Sequence, residues 1–204
     1  MQLNLYHGTN QRFVKFEQSK ARIANDYYGG GVAYFTDNLD IAKGYASSMQ
    51  KKSGGDKLIY QVVLNIMKLF DVDQKFSGKD LMAFIDKKSS EEFARGAGLL
   101  SLGSDKYKVL DELESGRMVL TGDQVFKGLS QGMNKTAQAR EKLKKLGYDA
   151  LRYNGGAMGI TAQKHNVYIA YDANKIRIIE PRMIVASETQ IKESGTGDER
   201  YKLI

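Results

Sequence analysis

No cysteine occurs anywhere in the chain, which excludes disulfides, thiolate metal ligands and a cysteine nucleophile together. Histidine is almost as scarce. With only His7 and His165 present, a zinc site built on imidazoles is not expected, and no metal is assigned. No run of eighteen apolar residues appears, so no transmembrane helix and no membrane partner is expected. The opening segment MQLNLYHGT lacks the basic region and apolar core of a secretory signal, which leaves the cytoplasm as the expected compartment. Internal repeats and low-complexity blocks are also missing. Proline is represented by Pro181 alone.

What remains is the composition of an ordinary soluble domain, with 42% hydrophobic and 27% charged residues in 204. That length suits one domain with room for an insertion. The net charge of +7 favours approach to polyanions, whether nucleic acids, dinucleotides or acidic protein faces. The cations are spread out, however. Their densest stretch, Lys135 to Lys145, fits the solvated face of a helix, so charge alone assigns no nucleic-acid target.

Leu3-Asn4-Leu5-Tyr6 alternates as a half-buried strand and ends at His7-Gly8-Thr9. After Gly29-Gly30-Gly31, the run Val32 to Thr36 predicts a second strand. Asp37 or Asn38 then caps a helix carrying Leu39, Ile41, Ala42 and Tyr45, which Ser53-Gly54-Gly55 breaks. Leu58 to Val72 predicts one buried strand plus its exit. From about residue 78 to 146, apolar residues fall at helical spacings, which predicts a helical insertion between two β regions. Thr136 to Leu146 is its clearest helix, with Gly147 placed to end it. Strands return at Tyr148 to Tyr153, Val167 to Tyr171 and Ile176 to Ile179, with Pro181 after the last. The expected architecture is α+β, a single domain over 1–187 followed by a loose polar tail over 188–204.

Three segments carry candidate chemistry: Tyr6-His7-Gly8-Thr9, Gly29 to Tyr45, and Asn166 to Ile179. Each alone reads as a turn, a flexible loop or core aromatics. Their order and spacing together resemble the ADP-ribosyltransferase superfamily in its poly(ADP-ribose)-polymerase and diphtheria-toxin-like branch. The closest likeness is to small versions in bacterial and phage-type polyvalent proteins. Tyr6-His7-Gly8-Thr9 matches the family's first strand. Gly31-Val32-Ala33-Tyr34-Phe35-Thr36 and Tyr45 match its glycine-led strand and following helix. Asn166-Val167-Tyr168-Ile169-Ala170-Tyr171-Asp172 matches its C-terminal strand, approached through Leu146-Gly147-Tyr148-Asp149-Ala150. The likeness covers the two ends of the chain, about half of it, and is silent on 73–135.

The resemblance implies a split β-sheet core and NAD as co-substrate. Breaking the bond between nicotinamide and ribose builds positive charge on the sugar, a problem close to glycoside hydrolysis. By family analogy Tyr34 and Tyr45 hold the nicotinamide ring, Gly8 (with Thr9 beside it) fixes its carboxamide through backbone groups, and His7 bonds the far ribose. Two departures accompany the match. Val167 stands where polymer-forming members carry glutamate, and a valine can neither hold a ribose hydroxyl nor balance positive charge. Ala42 stands where some relatives place a serine. Gln163, His165 and Asn166, in the loop before the last matched strand, are candidate contacts to an acceptor or stand-ins for the missing acid. The implied activity is mono-ADP-ribosyl transfer to a macromolecule, with protein favoured over nucleic acid as acceptor. The alternatives are a catalytically impaired NAD-binding or interaction module of the same fold, and a basic nucleic-acid-binding protein.

Overall fold

The structure, a computed structural model, describes residues 1–18, 28–155 and 164–183. Strand β1 (Gln2–Thr9) pairs antiparallel with β3 (Leu58–Asn65), from Gln2↔Asn65 to Thr9↔Leu58. On its other side β3 pairs with β9 (Ile176–Met183). These strands make one half of the sheet. The other half runs from β2 (Ala33–Thr36) through β8 (Asn166–Ala170) and β7 (Ala150–Asn154) to β4 (Leu69–Asp71). The two halves are joined at one rung, Tyr6↔Thr36, between β1 and β2.

Three sequence expectations need correction here. Leu58 to Val72 holds two strands rather than one strand and its exit. After β3 the chain crosses the sheet through Ile66 to Lys68 and resumes as β4 on the opposite edge, parallel to β7. The Asp149 carboxylate fixes that crossing by accepting from the Met67 and Lys68 amides at 2.6 and 3.1 Å. The last strand does not stop at Ile179 but continues through Pro181 to Met183. An edge strand tolerates proline because one row of its amides has no ladder partner to lose.

The third correction concerns the insertion, which is not wholly helical. It contains α2 (Gly78–Met82), α3 (Ser90–Gly96), α4 (Lys106–Glu114), α5 (Gly122–Leu129) and α6 (Thr136–Lys145). Within it, between α4 and α5, runs β6 (Val119–Thr121), which pairs antiparallel with β5 (Lys75–Ser77) just before α2. Phe76, Phe84, Phe93, Phe126 and Leu143 form one buried cluster with Phe70, Leu151 and Ile169 of the second half-sheet. The insertion is therefore a layer on that half. At α5 the N-terminus is closed by a capping box between Thr121 and Gln124.

Helix α1 (Leu39–Ser53) covers the first half. Its N-cap is Asn38, whose side chain accepts from the Asp40 and Ile41 amides; Asp37 is used elsewhere. Ile41, Ala42 and Ala46 are its buried face, and Gly54 ends it at φ +72°. A second core draws on both halves of the sheet, with Leu5, Tyr60, Val62 and Leu64 from one and Phe35, Tyr168 and Ala170 from the other.

Candidate active site

Because β1 and β2 share a single rung, their backbones separate beyond Tyr6 and Thr36. A cleft of about 510 Å³ opens there. It lies within the size range of small-ligand sites. His7, Gly8, Thr9, Tyr34, Tyr45 and Val167 all line it, so segments far apart in sequence meet on one surface.

His7 holds the split. Its Nδ1 lies 2.8 Å from the Tyr34 carbonyl oxygen, an acceptor, so Nδ1 carries the donated proton. The bond crosses from β1 to β2 one residue beyond their shared rung. Alternation along the strand puts His7 on the face opposite Tyr6 and Gly8. The ring packs among Phe13, Phe16 and Phe35, with centroids 6.1, 5.4 and 5.7 Å away.

Gly8 faces α1. A Cβ built there would lie 2.0 Å from the Ala42 carbonyl oxygen and 3.0 Å from the Ala46 amide nitrogen, so only glycine admits the helix. That packing also explains Ala42, which is fully buried against the strand. A serine hydroxyl there would enter the contact between helix and strand. Tyr34 projects from β2 and packs partly into the insertion core. Tyr45 projects from α1, 38% exposed, onto the same cleft.

Val167 pairs with Thr36 on one side and Tyr153 on the other. It is buried to 5%, and its Cγ2 occupies space that a side chain on Gly155 would need. Its surroundings are those of an apolar strand residue at the cleft wall.

The remaining candidates lie elsewhere. His165 and Asn166 border a separate shallow hollow with Asp37, Asn38, Asn154 and Lys164. Asn166 ties the two strands together there: its amide and Nδ2 donate to Asp37 at 3.1 and 2.6 Å, and its Oδ1 accepts from Arg152 at 3.4 Å. Arg152 also pairs with Asp71 at 2.6 Å. Burial works against the Arg152 charge, but the Asp71 hydrogen bond and charge outweigh it and hold its pKa above the ordinary value. Burial raises the Tyr168 hydroxyl, with the Asp37 charge adding to it. His165 is buried against Gly155. Gln163 lies outside the described residues.

The segment after β1 carries residues that sequence reasoning missed. Phe13 stacks on Tyr60 at 4.1 Å and donates its amide to the Tyr60 hydroxyl at 2.8 Å. Phe16 meets His7 and Phe35 edge-on. At the far end the Gln18 side chain donates to the Tyr171 carbonyl and accepts from the Ala173 amide. Arg12, just before the first of these anchors, and Lys15 and Glu17, between them, line the cleft. The i, i+3 pair Phe13 and Phe16 in a mostly polar loop was the available signal. Among the described residues no cluster of histidine and carboxylate side chains is arranged to hold a metal.

A family model described as ADP-ribosyltransferase in polyvalent proteins matches residues 1–193. The chain belongs to this family. No curated protein and no solved structure matches it. Membership of the polyvalent-protein ADP-ribosyltransferases extends the likeness beyond the two ends of the chain and through the insertion. The family takes NAD as its ADP-ribose donor. The cleft is lined by an aromatic residue from each of β2 and α1, Tyr34 and Tyr45, and by the cations Arg12 and Lys15, with the Arg12 Nε donating to Asp56 at 2.9 Å. The polar residues of the second hollow border a surface distinct from that cleft.

Proposed function

We propose that the cleft binds NAD and transfers one ADP-ribose to a macromolecular acceptor, a protein rather than a nucleic acid, with release of nicotinamide. The observation that carries this reading is the meeting of His7, Gly8, Tyr34 and Tyr45 on one surface at the split of the sheet. NAD supplies an electrophilic ribose carbon whose leaving group is neutral nicotinamide. The chain supplies position. Tyr34 and Tyr45 offer ring faces to the flat nicotinamide, and the backbone at Gly8 offers amide and carbonyl groups to its carboxamide. With the His7 Nδ1 engaged by Tyr34, the other ring nitrogen is the group that this reading assigns to the ribose of the adenosine half. The Lys15 side chain, on the cleft lining, offers its charge to the pyrophosphate.

One observation favours a second reading, in which NAD binds but does not turn over. Val167 is apolar, buried and packed against Gly155, so β8 brings no charge to the cleft at that position.

Calorimetric NAD titration, with nicotinamide followed by chromatography in the same samples, tests both readings. Transfer predicts micromolar-range binding with steady release. Tyr45→Ala, which removes a stacking face from an exposed position, is expected to weaken binding about tenfold or more with little loss of stability. Binding without release leaves the second reading. Absence of binding to wild type overturns both.

A further inference from the structure

Asn10 directly follows the last residue of β1 and lines the cleft. Its side-chain amide is used at one arm only. Both hydrogens of Nδ2 are spent on the turn that ends α1, one on the Ser53 hydroxyl at 2.9 Å and one on the Gly54 carbonyl at 2.8 Å. The Ser53 hydroxyl donates its own hydrogen to the Met49 carbonyl at 3.1 Å, so toward Asn10 it can only accept. Two acceptors therefore fix which arm of the amide is nitrogen, and Oδ1 is the arm that the turn leaves unused.

That oxygen is shielded from solvent and has no hydrogen-bond partner among the described residues. No other buried side-chain nitrogen or oxygen among the described residues lining the cleft is left in that condition. Its base is firmly held. A Cβ on Gly55 would lie 2.7 Å from the Asn10 carbonyl oxygen, and Arg12 closes onto Asp56 at 2.9 Å. A buried acceptor left unpaired carries its full desolvation cost, so a donor brought to it gains more than one that merely replaces water.

We propose that Oδ1 of Asn10 accepts from an exocyclic amino group of the dinucleotide, which makes Asn10 a residue that selects the donor substrate. This rests on the NAD reading above. NAD carries two such groups, the 6-amino group of adenine and the amine of the nicotinamide carboxamide. The next two residues, Gln11 and Arg12, are exposed and line the cleft, so the amine enters past surface side chains rather than through the core.

Calorimetry with NAD and two analogues, each lacking one of these amines, tests the assignment. Nicotinamide hypoxanthine dinucleotide has a carbonyl in place of the adenine amine, and 3-acetylpyridine adenine dinucleotide has a methyl in place of the carboxamide amine. Wild type is expected to bind one of them at least about tenfold more weakly than NAD, since a site built around a hydrogen bond rejects the ligand that lacks it. Asn10→Ala should bring that ratio to within about twofold of unity, as in a double-mutant cycle. Loss of the anchors on α1 lowers affinity for every ligand alike, so the ratio reports the oxygen. Ser53→Ala, which removes one anchor and spares Oδ1, should keep the wild-type ratio. Asn10→Ser withdraws the oxygen while leaving a hydroxyl for the turn, and serves in place of Asn10→Ala should that variant not fold. Preference against the hypoxanthine analogue that vanishes without Asn10 identifies the adenine amine as the partner; the same result with the acetylpyridine analogue identifies the carboxamide. A wild type that binds all three dinucleotides alike, or discrimination that persists without Asn10, overturns the role of Asn10 and leaves the transfer reading standing. A wild type that binds none of them overturns both.

Discussion

His7 performs two tasks with one ring. It closes a hydrogen bond across the divergence of β1 and β2, and it gives Phe13 and Phe16 an aromatic seat, which fastens the loop that carries Glu17. The order of His7, Gly8, Tyr34 and Tyr45 was legible in the sequence because each sits at a fixed step from a strand end or along a helix. What made Gly8 necessary locally was not legible, since that depends on where Ala42 of a later helix arrives. The polar cleft residues of the loop after β1, Arg12, Lys15 and Glu17, were equally silent, since nothing local says which surface that loop lies on. Tyr171 illustrates a residue whose chemistry is purely internal. It is 2% exposed, and its hydroxyl has no hydrogen-bond partner among the described residues. Tyr171→Phe removes an unsatisfied buried donor while keeping the ring. The variant should be more stable by about 1 kcal/mol, read by chemical denaturation.

At the level of elements, the insertion acts on the cleft from a distance. Helix α6 abuts the glycine turn that feeds β2. A Cβ on Gly29 would lie 2.4 Å from the Thr136 carbonyl, and Arg140, nearly buried, donates to the Gly29 carbonyl at 3.0 Å. Gly29 also adopts φ +78°, a region costly for residues with side chains. Gly29→Ala therefore combines strain with a backbone clash. It should cost at least ~2 kcal/mol by denaturant titration and weaken NAD binding through displacement of Tyr34. The elements that the sequence concealed were short or at an edge. β4 and β6 span three residues each, too few for alternation to register. β9 passed through a proline that ordinarily marks a stop. By contrast α1 and α6 were readable from caps and apolar spacing, because those signals are local. The partnership of β5 with β6 joins residues more than forty positions apart, and no local pattern encodes it.

For the molecule as a whole, the tyrosine population sets an alkaline limit. Burial raises the hydroxyl pKa values of Tyr148, Tyr168 and Tyr171, with further increments from Asp80 at Tyr148 and Asp37 at Tyr168. Folding thus favours the neutral phenols. Unfolded tyrosine ionises near pH 10, so this contribution is fully present below about pH 10 and is lost as pH rises toward the folded values. Melting temperature should hold to about pH 9 and fall steeply beyond 10, and Tyr171→Phe should flatten the decline. The α+β character and the split core were anticipated from strands at both ends of the chain. The strand order was not, because the crossing between β3 and β4 depends on Asp149, some eighty residues later. That order has a consequence for synthesis on the ribosome. The half containing β1 is completed by β9, and the half containing β2 is completed by β7 and β8. Neither half can close until residues beyond about 165 have left the exit tunnel, so the walls of the cleft come together only after the insertion and β8 have been made.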